Sequence, residues 1–189
     1  VYELKIDEDY KYLIAPLQRR EFLQLEENII ADGCREPIVV WNGVIVDGHN
    51  RYEICTRHQI PFAIQEMDFE CKEAVYAWIC SNQLGRRNIT EETRKFLIGR
   101  QYEAEKRALK KHRDKVEHGI IPEDTSLPYV PSEDFVYMPG ERHNPTASRI
   151  ARENNVSHGT VEKYAIYSRA IDEIADKEPD IVPKILGGK

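Results

Sequence analysis

The sequence predicts an α+β fold in which a small mixed-sheet domain precedes an all-α domain. Strand-like and helix-like patterns alternate over the first 80 residues, one long helical signal follows, and residues 144–189 contain only helical patterns. Four prolines and two glycines interrupt the pattern between these regions. The predicted divisions are residues 1–85 for the mixed-sheet domain, 86–115 for a basic connecting helix, 116–143 for a loop or linker, and 144–189 for the helical domain.

The strands and helices of the first domain follow one another closely. Residues 21–31 carry apolar side chains at helical spacing, and β-branched runs at residues 37–41 and 44–46 flank the dipeptide Asn42-Gly43. Because Asn-Gly favours the tight turn of a β-hairpin, these two runs are predicted to pair. The other predicted elements are a helix over residues 50–58, a strand over residues 60–64 and a helix over residues 72–80.

The connecting helix is predicted to begin after Thr90, whose side chain can cap it, ahead of Glu91 and Glu92. Residues 86–115 hold 11 basic residues against 5 acidic ones, although the whole chain has a net charge of −6. This concentration of Lys and Arg is expected where phosphate is approached, but it also fits a solvated helix face with i,i+4 ion pairs. Both interpretations stay open.

No apolar run approaches the roughly 18 residues that a membrane helix needs, and no signal sequence opens the chain. We therefore expect a cytoplasmic protein, and the first residue, Val1, suggests a piece of a longer one. The cysteines show neither a close ligand pair nor His residues at the spacing of a zinc site. Free, mostly buried thiols are expected at Cys34, Cys55, Cys71 and Cys80.

Residues 47–52 form the first motif. A predicted strand passes through Gly48 straight into a helix, which presents unpaired backbone N–H groups and the positive end of the helix dipole at one point. Such a point attracts phosphate, and Arg51 near the helix start can add a bidentate contact. In the alternative interpretation Gly48 only makes the turn, and Arg51 pairs with Asp47 or Glu53.

Several segments within about residues 10–112 resemble, in their order, the N-terminal domain of ParB partition proteins. They are residues 25–30, Gly33, residues 36–39, the turn from Gly48 to Arg51, and the polar run of residues 82–92. Glu36 stands where partition proteins usually have Gln, and His49-Asn50 stand where they usually have Glu-Arg. The resemblance is therefore not to a standard partition protein.

The resemblance implies a small mixed-sheet fold of the ParB/sulfiredoxin type that binds a nucleoside triphosphate, CTP or ATP, with Mg²⁺. The nucleotide-binding candidates that it implies are Gly48, His49, Asn50, Arg51, Arg86 and Arg87, and Asn82 is the candidate metal ligand. His49 can contact phosphate or act in proton transfer, although a His at a turn also serves as a local hydrogen-bond partner. The resemblance further implies a homodimer, with a partition ATPase as a possible partner and no membrane partner.

Two other relatives of this fold point to enzymes. Sulfiredoxin resembles the same turn but needs a Cys directly after the Gly, where His49 stands, so sulfiredoxin activity is not expected. Nucleotide-dependent free-serine kinases resemble the chain through an Asp-Gly-His-x-Arg turn, which residues 47–51 match. Glu36 is then the candidate catalytic residue, as general base for a hydroxyl or a water, unless it is an ordinary exposed acid before a strand. A slow NTPase activity, on CTP or ATP, stays open.

The second motif, residues 144–168, reads as helix, tight turn, helix. Asn144 and Pro145 suit the start of the first helix, Asn155 suits the left-handed turn, and Ser157 can cap the second helix. Two short helices and a third that ends near Lys177 are predicted. The motif resembles the helix-turn-helix that follows ParB-like N-domains, and its DNA-binding candidates are Arg149, Ser157, His158, Thr160 and Lys163. A two-helix packing element without nucleic acid is the alternative.

The sequence thus predicts a nucleoside-triphosphate-binding, DNA-binding protein that acts in plasmid or mobile-element partition or in gene regulation. Its expected partner is double-stranded DNA, and its expected location is the cytoplasm, in association with nucleoid or plasmid. The rival hypothesis is a small-molecule kinase or NTPase of the same superfamily. The basic helix and the second motif favour the first hypothesis, whereas Glu36 and the Asp-Gly-His turn favour the second.

Overall fold

The computed structural model describes residues 3–86, 88–122, 125 and 144–187, and within them the chain has eight α-helices and one three-stranded sheet. The chain divides into two compact units, Val1–Phe69 and Glu70–Lys189. Residues 70–85, which the sequence analysis assigns to the mixed-sheet domain, lie in the second unit. Arg87 and most of the predicted linker lie outside the described residues.

The first unit is mixed α and β, as the sequence predicts. Its elements are α1 (Glu8–Tyr12), α2 (Arg19–Asp32), β1 (Ile38–Trp41), β2 (Val44–Asp47), α3 (His49–His58) and β3 (Ile64–Glu66). The strand order is β2-β1-β3, with β1 antiparallel to β2 and parallel to β3. The sheet is therefore mixed, and the central strand β1 runs beside both others.

The predicted hairpin between β1 and β2 is confirmed. Asn42 (φ 50°) and Gly43 (φ 74°) both adopt the left-handed conformation, which a type I′ hairpin turn requires at its two central positions. The third strand lies further along the chain than predicted, since β3 begins at Ile64 rather than at residue 60. Pro61 has no N–H to donate to a sheet, which disfavours a strand through that residue.

Two apolar clusters lie in the core of the first unit as far as its residues are described. One is built on the sheet, from Ile38, Val40 and Ile45. The other lies where α2 packs against α3 and contains Ile29, Ile54 and Cys55, with Cys34 and four further apolar side chains against it. These clusters fix the start of α3 against the sheet, and that start carries the first motif.

The second unit is entirely helical within its described residues. Its elements are α4 (Lys72–Leu84), α5 (Glu91–Glu117), α6 (Pro145–Asn154), α7 (His158–Lys177), a 3₁₀ turn (Pro179–Ile181) and α8 (Val182–Leu186). Helix α5 packs against α4, α6, α7 and α8 and forms the centre of this unit. No helix of the described residues is long and apolar enough to cross a membrane.

Three predicted caps of the second unit are confirmed. The side chain of Thr90 accepts a hydrogen bond from the N–H of Thr93 at the start of α5, and that of Ser157 accepts from the N–H of Thr160 at the start of α7. The side chain of Asn144 accepts a hydrogen bond from the N–H of Ala147, and Pro145 occupies the first turn of α6. The predicted break within α7 is wrong, because this helix runs uninterrupted from residue 158 to residue 177.

Candidate functional site

The first motif is presented by a β-bulge at the end of β2. Val40 lies opposite Ile45, whereas Val39 lies opposite Asp47, so one residue of β2 is left over between the two pairs. A bulge bends its strand and changes the direction of the residues that follow it. Asp47, beyond the bulge, ends β2, and the chain passes through Gly48 directly into α3.

Gly48 is required at the start of α3 for two reasons. Its φ of +96° lies in the left-handed region, where a side chain is strained. A Cβ at this residue would also come within 3.0 Å of Nη2 of Arg51 and 3.1 Å of Cδ1 of Ile38. The turn therefore brings the Arg51 guanidinium directly against the backbone of Gly48, as the phosphate-binding interpretation and its alternative both require.

Arg51 is held by the turn itself. Its Nη2 atom donates to the carbonyl oxygen of Pro37 at 3.0 Å and pairs with the Asp47 carboxylate at 3.3 Å. Its Nε atom is buried and has no hydrogen-bond partner among the described residues. The pairing with Asp47 that the alternative interpretation names is thus present, and one donor of the guanidinium is left over.

His49 is the first residue of α3, and its ring is 8% exposed. Neither ring nitrogen has a hydrogen-bond partner among the described residues. Burial lowers the pKa of this imidazole, against the opposite influence of Asp47. A neutral ring is therefore favoured. Buried polar atoms normally have hydrogen-bond partners. The two unsatisfied nitrogens therefore indicate a place where a bound group would supply the missing hydrogen bonds.

The remaining candidates of the first unit lie near this turn. Asn50 is half-buried in the first turn of α3. Glu36 is exposed in the loop before β1 and directly precedes Pro37, the residue whose carbonyl oxygen accepts from Arg51. Glu36 is therefore the sequence neighbour of the residue that holds the Arg51 guanidinium, and its side chain is exposed to solvent.

The other three candidates for nucleotide and metal contacts belong to the second unit. Asn82 is exposed in the last turn of α4, and Arg86 is half-buried just after that helix, with its N–H bonded to the carbonyl oxygen of Gln83. Arg87 lies outside the described residues. No group of three or more His, Cys, Asp or Glu side chains in the described part of the chain is placed to hold a metal ion.

The turn between α6 and α7 presents the second motif. Asn155 has a φ of 55°, in the left-handed region, as predicted from its ability to adopt that conformation. His158 and Lys163 are exposed on the first turns of α7. Thr160 is half-buried, and its Oγ1 lies 2.8 Å from Oγ of Ser157. The hydroxyls of Ser157 and Thr160 are therefore hydrogen-bonded to each other at the start of α7.

Arg149 does not lie on that surface. It is 7% exposed, and its guanidinium pairs with Glu105 of α5 and, at 2.6 Å, with Glu153 of α6. Gln101 also donates to Glu105, at 3.0 Å. Arg149 is therefore committed to joining α6 to α5, and this placement removes the reason for expecting it at DNA. An Arg in an amphipathic helix gives no sign in the sequence of such a distant partner.

The basic residues of α5 are divided between internal pairs and the surface. Arg100 pairs with Asp172 at 2.5 Å, Lys111 with Glu73 at 2.7 Å, and Lys115 with Glu70 at 2.9 Å. The exposed basic side chains are those of Lys106, Arg107, Lys110 and Arg113, and Lys111 is also exposed although it pairs with Glu73. The three pairs join residues far apart in the sequence rather than at i,i+4, and an approach of phosphate to the exposed side chains stays a prediction.

Gln83 is the feature of this region that the sequence analysis missed. It is fully buried in α4, and neither its amide nitrogen nor its amide oxygen has a hydrogen-bond partner among the described residues. Its position in the polar run of residues 82–92 was the available signal. Burial of an amide cannot be read from a run of polar residues, since such runs are normally solvated.

No family model matches this chain, and no curated protein matches it. Among solved structures, it resembles two described as pNOB8-like ParB N-domains. The first, a C2221 crystal form, has 16% sequence identity and a TM-score of 0.51, over 93% of this chain and 71% of that chain. The second has 19% identity and a TM-score of 0.50, over 93% and 66%.

The chain has the fold of a ParB N-domain. At these identities the likeness to the ParB N-domains concerns the fold alone. It confirms the predicted α+β class of the ParB type, in which a small three-stranded sheet is combined with helices. The chain spans 71% and 66% of the two ParB N-domain chains that it matches.

Proposed function

We propose that this chain is a ParB-like protein that binds a nucleoside triphosphate at the turn of residues 47–51 and double-stranded DNA at the start of α7. The observation that carries the proposal is the buried ring of His49, with two unsatisfied nitrogens, at the N-terminus of a helix that Gly48 opens. A helix N-terminus alone is a weak signal, but an orphaned buried ring beside it points to a bound group.

The phosphates are the part of the nucleotide that fits this turn. The first N–H groups of α3 have no partner within the helix and point toward its N-terminal end. Arg51 is anchored through Nη2 to the Pro37 carbonyl, while its Nε donor is left over for an anion. An anchored guanidinium loses little conformational entropy on binding, which favours phosphate binding at this place.

The carboxylate of Asp47 sets a condition on this binding. It stands next to the helix N-terminus and pairs with the same guanidinium that would receive the phosphates. Two anions on one guanidinium repel each other unless a cation lies between them. We therefore propose that CTP or ATP enters with Mg²⁺, which is usually held by one or two carboxylates together with phosphate oxygens. Asp47 is the carboxylate that we propose for this role.

DNA binding is proposed at the N-terminal turns of α7. Lys163 and His158 are exposed there, and the N-terminal residues of a recognition helix are those that meet base edges in the major groove. Ser157 caps the helix by accepting from the N–H of Thr160, and the hydroxyls of both residues can also contact phosphate. The exposed Lys and Arg side chains of α5 lie in the same unit and add positive charge. Asn82, Arg86 and Arg87 stay proposals for nucleotide and metal contacts.

The biological role that fits these two activities is partition of a plasmid or mobile element, or gene regulation. The protein would act as a homodimer on DNA in the cytoplasm, at nucleoid or plasmid, with a partition ATPase as partner. The ParB N-domain fold is consistent with this role, and the resemblance of the sequence motifs to partition proteins is what implies nucleotide-dependent DNA binding.

The proposal is tested by a ligand screen on the whole chain. Thermal shift with ATP, CTP, GTP and UTP, each with and without Mg²⁺, should show a rise of the unfolding temperature for at least one nucleotide, and the rise should need Mg²⁺. The same screen with DNA fragments from the native locus should show a further rise of the unfolding temperature with a cognate fragment. Absence of any nucleotide effect would refute the assignment of the turn.

A second candidate function rests on the position of Glu36. Its exposed carboxylate directly precedes the residue that anchors Arg51, so it stands near the place proposed for the phosphates. A carboxylate there can take a proton from a hydroxyl or a water, as a kinase or a slow NTPase requires. This enzyme uses the same turn, and turnover in the presence of a small hydroxyl compound would favour it.

A further inference from the structure

Two thiols of the first unit lie in one apolar cluster beside the proposed site. Cys55 is buried in α3, one helical turn after Arg51, and Cys34 lies in the loop between α2 and β1. The side chain of Cys34 packs against the small apolar cluster that contains Cys55, and the neighbouring Cys34 is one of the causes that raise the pKa of Cys55. The two thiols therefore belong to one packed group of side chains rather than to separate parts of the fold.

The two thiols differ in their access to solvent, and the buried one is hard to ionise. Cys34 is half-buried, whereas Cys55 is 1% exposed. Burial, with the neighbouring Cys34 as a further cause, raises the pKa of the Cys55 thiol to about 11. Since the thiolate is the reactive form and an oxidant must reach it, Cys34 is the sulfur that an oxidant meets first.

We infer that Cys34 and Cys55 are an oxidation site that forms a reversible intramolecular disulfide when the protein meets a peroxide. In the first step the Cys34 thiol gives up its proton, its sulfur attacks one oxygen of hydrogen peroxide and the O–O bond breaks; Cys34 becomes a sulfenic acid, and the departing hydroxide takes up that proton and leaves as water. In the second step the sulfur of Cys55 attacks the sulfur of Cys34 and the S–O bond breaks. The departing hydroxide takes the Cys55 proton and leaves as a second water.

The disulfide changes the loop that carries the anchor of Arg51. In the reduced protein the Cys34 thiol donates to the carbonyl oxygen of Glu36 at 3.3 Å. Oxidation removes that proton, so the carbonyl loses its partner while the loop becomes tied to α3 by a covalent bond. Pro37, whose carbonyl oxygen receives Arg51, follows Glu36 directly. The covalent bond therefore holds this loop at the turn that the first motif forms.

The site is tested by peptide mapping, because trypsin places each of the four cysteines in a different peptide. Cleavage after Arg and Lys puts Cys34 in residues 21–35, Cys55 in residues 52–57, Cys71 in residues 58–72 and Cys80 in residues 73–86. Hydrogen peroxide on the native chain should yield the cross-linked pair of residues 21–35 with 52–57, lighter by two hydrogen atoms, and dithiothreitol should release both peptides.

Two variants control this experiment. Cys71→Ser, in the second unit, should leave the cross-link unchanged, and Cys34→Ser, at a half-buried loop residue, should abolish it while the circular dichroism spectrum stays native. The oxidised wild type should also unfold at a temperature several degrees above the reduced form, because the disulfide restricts the unfolded chain, and this difference should vanish in Cys34→Ser.

Other outcomes would overturn the inference. These are sulfinic or sulfonic acid on Cys34 without a cross-link, a cross-link between two chains, and a cross-link to Cys71 or Cys80. Nucleotide binding does not enter the readout, so failure of the proposed function would leave this result standing, and the reverse is also true.

Discussion

The backbone of Gly99 on α5 lies directly against the backbone carbonyl of Tyr164 on α7. A Cβ at residue 99 would overlap this carbonyl group and come within 2.8 Å of the nitrogen of Ala165. The neighbours are backbone atoms rather than the flexible end of a side chain, so they cannot move aside without displacing α7. This contact sets how closely the helix that carries the second motif approaches the central helix of its unit.

Gly99→Ala should therefore destabilise the second unit. We expect a loss of about 3 kcal/mol in the free energy of unfolding, at the upper end of the usual cost of overpacking. Urea denaturation measures it. Gly159→Ala on α7 is the matched control, because a Cβ there meets nothing within 4 Å, and its change should stay within about 1 kcal/mol. Equal stability of Gly99→Ala and wild type would contradict the close approach of α5 and α7.

Arg149→Met should destabilise the chain because it leaves Glu105 buried without its cation. The expected cost is about 3–5 kcal/mol, measured by urea denaturation at neutral pH. The double variant Glu105→Leu/Arg149→Met should recover most of the loss, since it removes both charges. Arg152→Ala, at an exposed residue of the same helix, is the control and should change stability little. If Arg149→Met lowers DNA affinity without any loss of stability, the placement of Arg149 is wrong.

The stability of Arg149→Met should depend on pH, and the sign of this dependence follows from the pKa of Glu105. Burial raises the pKa of Glu105 above its ordinary value of 4.5, and Arg149 opposes this rise. Loss of Arg149 should raise the pKa of Glu105 further. A raised pKa means that the folded state binds the proton more tightly than the unfolded state. The stability of Arg149→Met should therefore fall, relative to wild type, as the pH increases from 4.5 through the raised folded pKa. A constant difference across this range would contradict the assignment.

The local parts of this structure were predictable, and the distant pairings were not. The turn at Asn42, the cap at Ser157 and the left-handed Asn155 follow from a few adjacent residues, so the sequence reports them directly. Arg149 meets Glu105 across 44 positions, and only packing decides which face of α6 is buried. The continuity of α7 was missed although no Gly or Pro stands between residues 160 and 177 that would end it.

The first motif shows the same division. Its strand, glycine and helix start were predicted because strand and helix periods meet at Gly48. Two other features were not predicted: the hydrogen bond from Arg51 to the Pro37 carbonyl and the unsatisfied ring nitrogens of His49. Neither a backbone acceptor nor an unsatisfied atom can be recognised from the sequence.

Lys163→Ala should weaken DNA binding if the start of α7 meets DNA. A lost phosphate contact should reduce the slope of log affinity against log salt by about one unit. Footprinting or anisotropy on DNA from the native locus at several salt concentrations measures this slope. Lys177→Ala, exposed in the last turn of the same helix, should leave it unchanged. Equal slopes for wild type and both variants would remove Lys163 from the interface.

Thr160→Ala should mainly alter sequence preference rather than overall affinity, because the residue lies in the first turn of the helix. Selection from a random DNA pool reads this preference. The net charge of −6 adds a condition, since binding to random DNA should be weak at physiological salt. If no DNA is retained from the native locus or from the pool, with or without nucleotide, the enzyme hypothesis becomes the leading one.

Glu36→Gln separates the two candidate functions. If the chain is a kinase or an NTPase, this variant should abolish turnover while the nucleotide affinity stays unchanged, because only the base is lost and the shape is kept. Phosphate release and calorimetry measure the two quantities. Glu53→Gln, another exposed acid of the first unit, is the control and should turn over normally. Wild-type turnover in Glu36→Gln would exclude Glu36 as the base.

The central claim is that the turn of residues 47–51 binds nucleotide phosphates, and isothermal titration calorimetry on Arg51→Ala tests it most directly. Loss of one or two charge-assisted contacts should cost about 2–4 kcal/mol of binding free energy. Arg57→Ala is the matched control, because Arg57 lies on the same helix and pairs with Glu53 and Glu26 away from the turn. The account predicts a large loss of affinity in Arg51→Ala and none in Arg57→Ala. Unchanged affinity in a folded Arg51→Ala protein would contradict it.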